Sequence, residues 1–240
     1  MKKVLPVLLS LLIANVMVTG QNTSVGVFGG MNISNVNGIY NSDGYYTNTT
    51  TLITKQFGVV LSYPISERLS LFSDAGYYEK GFKYSTDNDM VGGATVSGQT
   101  KIKSVDVPLT LKIGMFKNQL FYIRTGVYLS FLLSAKNNDT IVYPDPDFGI
   151  SITENDITDK MNKTVFGFTA GAGFNIPVGK SLGILFDVAY RLDLSDAFHN
   201  SQTSVWPNKN SDTYYVNTNE VGNRNLTISA GLSYRFSSKK

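Results

Sequence analysis

Leu226-Thr227-Ile228-Ser229-Ala230-Gly231-Leu232-Ser233-Tyr234-Arg235-Phe236 alternates without a break. Leu226, Ile228, Ala230, Leu232, Tyr234 and Phe236 fall on one face, and Thr227, Ser229, Gly231, Ser233 and Arg235 fall on the other. Side chains that point to opposite faces every second residue belong to a β-strand with two unlike environments. The same pattern recurs upstream in Phe121 to Leu133, Phe166 to Ile176 and Leu182 to Leu194. Weaker copies lie at Val25 to Ile33, Phe57 to Tyr63, Leu69 to Gly81 and Val105 to Ile113, which makes eight strands.

Composition agrees with a sheet. The chain has 240 residues, 42% of them apolar, with 22 Gly, 14 Tyr, 14 Phe and no Cys. A disulfide framework and cysteine-based metal or redox sites are therefore excluded. Charged residues are 16%, against roughly 25% in an ordinary soluble domain. Mean hydropathy of −0.05 is too polar for a bundle of membrane helices. It suits a barrel whose strands average polar and apolar faces.

Met1-Lys2-Lys3 followed by the mostly apolar Val4 to Val18, then small residues before Gln21, reads as a secretory signal peptide over residues 1–20. The barrel domain is expected over residues 21–240. Removing Lys2 and Lys3 leaves 19 basic against 18 acidic residues. That balance gives no footprint for nucleic acid.

Between the strands, short turns near Pro64 to Arg68, Phe116 to Gln119 and Pro177 to Lys180 alternate with long polar segments. The long segments are Asn35 to Thr54, Lys83 to Lys103, Ala135 to Lys163 and Ser195 to Arg224. Short turns on one edge and long loops on the other characterise transmembrane barrels. The predicted fold is an all-β, eight-stranded antiparallel up-and-down transmembrane β-barrel. A soluble lipocalin-like carrier would turn the same apolar face inward. Three features favour lipid instead. Aromatics mark both ends of the apolar face (Tyr63, Phe121, Phe174, Tyr234 and Phe236 at one, Phe57, Tyr77, Phe131, Phe166 and Tyr190 at the other), the last strand ends in Phe236, and the apolar face carries few charges. Pro108, inside a strand, predicts a bulge or a strand end there.

Val25-Gly26-Val27-Phe28-Gly29-Gly30-Met31-Asn32-Ile33-Ser34-Asn35 is similar to the first strand of the outer-membrane β-barrel family with PorT-like members, found in Gram-negative bacteria of the Bacteroidetes type. Asp74-Ala75-Gly76-Tyr77-Tyr78-Glu79-Lys80-Gly81 resembles its third strand, and Val105-Asp106-Val107-Pro108-Leu109-Thr110-Leu111-Lys112 its fourth. Gly171-Ala172-Gly173 and the Tyr-Arg-Phe ending also fit, so the resemblance spans residues 21–236. It implies an eight-stranded barrel in the cell outer membrane and little about activity.

The interior of such a barrel is just wide enough for side chains. The inward charges are Asp74, Lys80, Asp106, Lys112, Arg124, Asp187, Arg191, Asp193 and Arg235. Desolvated charges must pair, so these residues are expected to form a lumenal polar network, with Asp187 paired to Arg124 or to Arg191. The alternative is a small passive channel. A catalytic reading would rest on His199, the one histidine, near Ser195, Asp196 and Ser201, and loop proximity supplies no triad geometry. No metal-ligand spacing or nucleotide fingerprint occurs, so no cofactor is expected.

The third long segment is acidic, with Asp139, Asp145, Asp147, Glu154, Asp156 and Asp159 against Lys136, Lys160 and Lys163. It reads as a solvated loop, with a divalent cation bridging it to lipid phosphates as the alternative. The fourth carries Trp206-Pro207 and Tyr214-Tyr215, which either pack the loop or anchor a partner. The expected function is structural or interactive in the envelope, with a PorT-like secretion or assembly role as its finer form. The expected partners are outer-membrane lipid, lipopolysaccharide and envelope secretion or assembly proteins.

Overall fold

The computed structural model describes residues 23–36, 40–41, 48–88, 94–115, 120–143, 145, 147, 149–197, 202–206, 214–217 and 222–236. The expected signal peptide, His199 and Pro207 lie outside the described residues, as do the side chains of Trp206, Tyr214 and Tyr215. Twelve strands are described. They are β1 (Ser24–Val36), β2 (Tyr40–Asn41), β3 (Asn48–Pro64), β4 (Leu69–Asn88), β5 (Ala94–Gly114), β6 (Phe121–Val142), β7 (Ile150–Asp156), β8 (Thr164–Val178), β9 (Leu182–Asp193), β10 (Gln202–Trp206), β11 (Tyr214–Asn217) and β12 (Asn223–Arg235).

Eight of them form a closed barrel in the order β5-β4-β3-β1-β12-β9-β8-β6, and β5–β6 pairing shuts the ring. Every neighbour is antiparallel. The first and last barrel strands meet with Ser24 opposite Arg235, so both chain ends leave from one rim. That rim also carries the turn between Pro64 and Leu69 and the turn around Gly179, whose φ of 85° suits glycine.

All eight predicted strands are present, six of them within longer ones; the predicted ends Leu194 and Phe236 fall one residue past β9 and β12. The apolar face points out. Val27 is 59% exposed and Leu109 53%, whereas Asn32, Asp106 and Arg191 are fully buried inside. A water-soluble carrier requires the reverse arrangement, so that alternative is set aside. Aromatics stand on both outer rims, with Phe57 stacked on Tyr77 at 5.1 Å on one and Phe121 against Phe174 at 5.2 Å on the other. Such girdles mark the two membrane interfaces.

Two segments expected as loops are largely strand. β4, β5 and β6 run 20, 21 and 22 residues, twice the 9–11 or so that cross a bilayer. Segment 83–103 therefore continues the β4–β5 ladder, and segment 135–163 continues β6 and folds back as β7. Above the membrane the outer face of a sheet meets water and no longer needs apolar residues. The alternation that exposed the lower strands is absent from these upper ones. Small strands β10, β11 and β2 form a separate three-stranded sheet.

Pro108 sits in mid-strand, where a bulge or strand end was expected. The β4–β5 pairing lapses between Phe72–Thr110 and Gly76–Asp106 and resumes in the same register. Losing a ladder bond there does not force the extra residue of a bulge. The bulges lie higher, at Thr51/Gln56 on β3 and Lys103/Ser104 opposite β6. Across the latter the buried phase of β6 switches from Ser130 to Ala135 and Asn137.

Candidate functional site: the charged lumen

Alternation aims one residue in two of each strand at the lumen, and in this barrel the aimed residues are long and charged. Six of them form a single alternating chain: Asp187, Arg124, Asp74, Arg191, Asp106, Lys80. The links are 2.6 Å for Asp187–Arg124, 3.1 Å for Arg124–Asp74, 2.7 Å for Asp74–Arg191, 3.2 Å for Arg191–Asp106 and 2.9 Å for Asp106–Lys80. The chain crosses the interior between strands that are not neighbours in the sheet, since Arg124 on β6 grips Asp74 on β4 and Asp187 on β9. It staples opposite walls together.

Arg124 uses its planar fork on both sides. Nε and Nη2 donate to the two oxygens of Asp187 at 3.0 and 2.6 Å, and Nη1 and Nη2 donate to those of Asp74 at 3.2 and 3.1 Å. Such charge-assisted, two-pronged bonds are the strong ones. Arg191 lies over the Tyr78 ring at 4.1 Å and donates to its hydroxyl at 2.7 Å. Lys80 adds a bond to the Ser130 hydroxyl at 3.1 Å, and Ser104 donates to Asp106 at 2.8 Å.

Three of the nine expected network members stand apart from the ion chain. Lys112 is buried and rests against the ring faces of Tyr122 at 4.5 Å and Phe72 at 5.5 Å. Asp193 accepts from the Tyr128 hydroxyl and from the Asn223 side-chain amide at 2.7 Å. Arg235 is exposed at the last strand position and, among the described residues, joins no ion pair. The end of β12 lies at the barrel mouth, where an inward direction no longer means burial. Asp187 and Arg191 do not touch directly and are joined through Arg124 and Asp74.

The tyrosines belong to the network too. Tyr122 donates to Asp187 at 2.8 Å. Tyr128 and Tyr122 face Gly167 and Gly173 on β8 in register, and a Cβ on either glycine would meet the tyrosine ring within 2.6 Å. The legible signal for these tyrosines is their place on the polar face of β6, two positions either side of Arg124 and Gly126.

Above the charges the lumen is capped by apolar side chains. Val36, Phe82, Ile102 and Ala135 from the strands pack with Ile157, Met161 and Ala197 from the connections. Beneath this cap a cavity of about 20 Å³, lined by Lys80, Ser104, Ser130, Asp193 and Asn223 among others, has room for about one water molecule. Higher still, in the extension beyond the membrane, Tyr84 donates to Asn137 at 2.8 Å and to Asp139. Burial holds the Asp139 carboxyl above the usual carboxylate range, while the bonds from Tyr84 and Asn137 pull it down. Among the described residues no cluster of His, Cys, Asp or Glu is arranged to hold a metal ion.

A closed ring of eight antiparallel strands, apolar and aromatic outside and ionic inside, defines a transmembrane β-barrel of the outer-membrane type. The family model described as outer membrane protein beta-barrel domain matches residues 19–199, and the chain belongs to that family. It is an outer-membrane protein. A search of the curated proteins finds no match. Among solved structures, the chain is similar to the outer membrane protein OprG from Pseudomonas aeruginosa, with 13% identity over 91% of this chain and 99% of that one and a TM-score of 0.49. It is also similar to Ail, the attachment invasion locus protein of Yersinia pestis, with 15% identity over 90% and 99% and a TM-score of 0.38. A third is the outer membrane protease OmpT from Escherichia coli, with 13% identity over 91% and 98% and a TM-score of 0.41.

Proposed function

We propose that the protein is a non-enzymatic barrel with a structural or interaction role in the envelope, working through the surface it displays outside the membrane. The observation that carries this reading is the ion chain from Asp187 to Lys80, which ties β4, β5, β6 and β9 across the lumen and sits beneath an apolar cap. Opening a path through it would strand buried charges, at about 3–5 kcal/mol for each broken pair. The rigid lumen then serves as a scaffold for the extensions of β4, β5, β6 and β7. A PorT-like part in secretion or assembly is the finer form of this proposal and rests on the strand motifs alone.

A second reading, a narrow water path, is favoured by one feature. Thr169, Arg191 and Asn225 lie side by side across β8, β9 and β12, and each keeps a buried polar atom without a protein hydrogen-bond partner. Planar-bilayer recording of the purified protein separates the two. A plugged barrel gives no conductance steps, and steps that disappear on blocking the extracellular side would establish the channel instead. Pull-down from crosslinked outer membrane tests the assembly role, which fails if the barrel is recovered alone.

A further inference from the structure

The outer face of the barrel changes character abruptly at one level. Phe57, Tyr77, Val105 and Phe131 form a cross-strand row over β3, β4, β5 and β6, in register from strand to strand. This is the upper aromatic rim. Two residues further along the strands, Glu79 lies opposite Lys103. The following row reads Gly81, Lys101, Lys136, Asp156, and the one above it Lys83, Gln99, Asn138, Glu154. At about 3.3 Å per residue, Lys103 stands roughly 7 Å along its strand from the rim, Lys101 roughly 13 Å and Lys83 roughly 20 Å, and a strand tilt of about 45° turns these into heights of about 5, 9 and 14 Å. The polar headgroup zone of a bilayer is of order 5–8 Å deep on each side.

Lys101 and Lys136 are direct cross-strand partners. Like charges placed opposite one another destabilise a sheet. Lys103 follows Lys101 on the same face, Lys83 is its diagonal neighbour, and Gly81, which has no side chain to offer it a partner, lies opposite. The acids facing this patch are already engaged. Glu154 pairs with Lys136, Glu79 accepts from the Tyr77 hydroxyl at 2.7 Å, and Asp156 accepts from the Thr158 backbone N–H at 2.9 Å. Among the described residues Lys83, Lys101 and Lys103 form no ion pair.

We infer that Lys83, Lys101 and Lys103 form a binding site for the phosphates of an anionic lipid headgroup in the outer leaflet. Charge and position make the argument together. Three cations that form no ion pair among the described residues, one beside a like-charged neighbour, rise from Lys103 and Lys101 near headgroup depth to Lys83 just above it, over a lipid-facing apolar band. The acyl chains of the same lipid would lie against Val105, Val107, Leu109 and Phe131. The phosphate relieves the lysine repulsion that the sheet register imposes.

The test is lipid binding by the intact detergent-solubilised protein, followed by native mass spectrometry. The probes are bisphosphorylated lipid A, its dephosphorylated form and inorganic phosphate. The wild-type protein should retain the bisphosphorylated lipid and lose it about 10- to 100-fold more readily in the Lys83→Gln/Lys101→Gln/Lys103→Gln variant, given about a factor of five per lysine near a charged surface. Lys180→Gln, at the opposite rim, should bind as wild type. The heat-dependent gel shift of the folded barrel, unchanged in the triple variant, separates lost binding from lost folding. Equal retention of the dephosphorylated lipid, or unaltered binding by the triple variant, would overturn the site. Displacement of the lipid by inorganic phosphate at equal concentration would overturn the lipid as its occupant.

Discussion

Arg124 contributes four of the hydrogen bonds that cross the lumen, to two buried carboxylates. Replacing it with Met keeps the volume and removes the charge, which leaves Asp74 with Arg191 and Asp187 with the Tyr122 hydroxyl alone. Uncompensated buried charge of this kind costs about 3–5 kcal/mol, so Arg124→Met should lower the thermal unfolding midpoint in detergent markedly. Asp187→Asn in the same chain should restore part of that loss. A variant as stable as wild type, with no rescue to see, would mean that the pairs contribute nothing. The inward direction of these charges was legible in the sequence, because each occupies the polar face of an alternating strand. The choice of partner was not. Asp187 and Arg191 share a face of β9 at a spacing of four, yet barrel curvature brings Arg124 and Asp74 between them, and sequence separation does not encode that curvature.

On β6 and β8 the tyrosines and glycines interlock as elements, and the fit can be tested from the glycine side. A Cβ on Gly167 would lie 2.3 Å from the ring of Tyr128, and its three nearest atoms all belong to that side chain. Tyr128 would have to move, and its bond to Asp193 would break. Gly167→Ala should therefore destabilise the barrel by about 1–3 kcal/mol, the usual cost of overpacking. Gly29→Ala, whose Cβ would meet only the Gln56 carbonyl oxygen at 3.9 Å, is the matched control and should be neutral. Chemical denaturation in detergent micelles reads both; equal effects would show that Gly167 is not there to seat the ring. The lower strands could be read from sequence because one face of each meets lipid and is kept apolar. The upper halves of β4, β5 and β6 could not. There the outer face carries Lys83, Ser85, Lys101, Gln99, Lys136 and Asn138, so period two survives in the backbone and vanishes from the hydropathy. Their inward side still holds Phe82, Tyr84 and Ile102, a sparse pattern that the polar neighbours mask.

For the molecule as a whole, the side on which the apolar face lies determines what kind of protein this is, and a single residue can report on it. Leu109 sits near the middle of the membrane-spanning part of β5, outward and 53% exposed in the isolated chain. In a bilayer that exposure is to hydrocarbon, and Leu109→Arg should destabilise the barrel by about 2–4 kcal/mol, the depth-dependent cost of an arginine on the lipid face near the midplane. Lys101→Arg, above the aromatic rim, should cost almost nothing, because its charge is already in the headgroup zone. Reversible folding into vesicles of short-chain phosphatidylcholine, titrated with denaturant, gives both numbers under one condition. The absence of any cost at Leu109 in the vesicles would point to a water-facing surface. A cost that follows depth, large at Leu109 and small at Lys101, would tie the closed sheet, its outward apolar band and the lysines above it to one membrane frame. The ion chain that holds the lumen shut would then be a matter of protein alone, and the lipid would set only the depth at which the barrel sits.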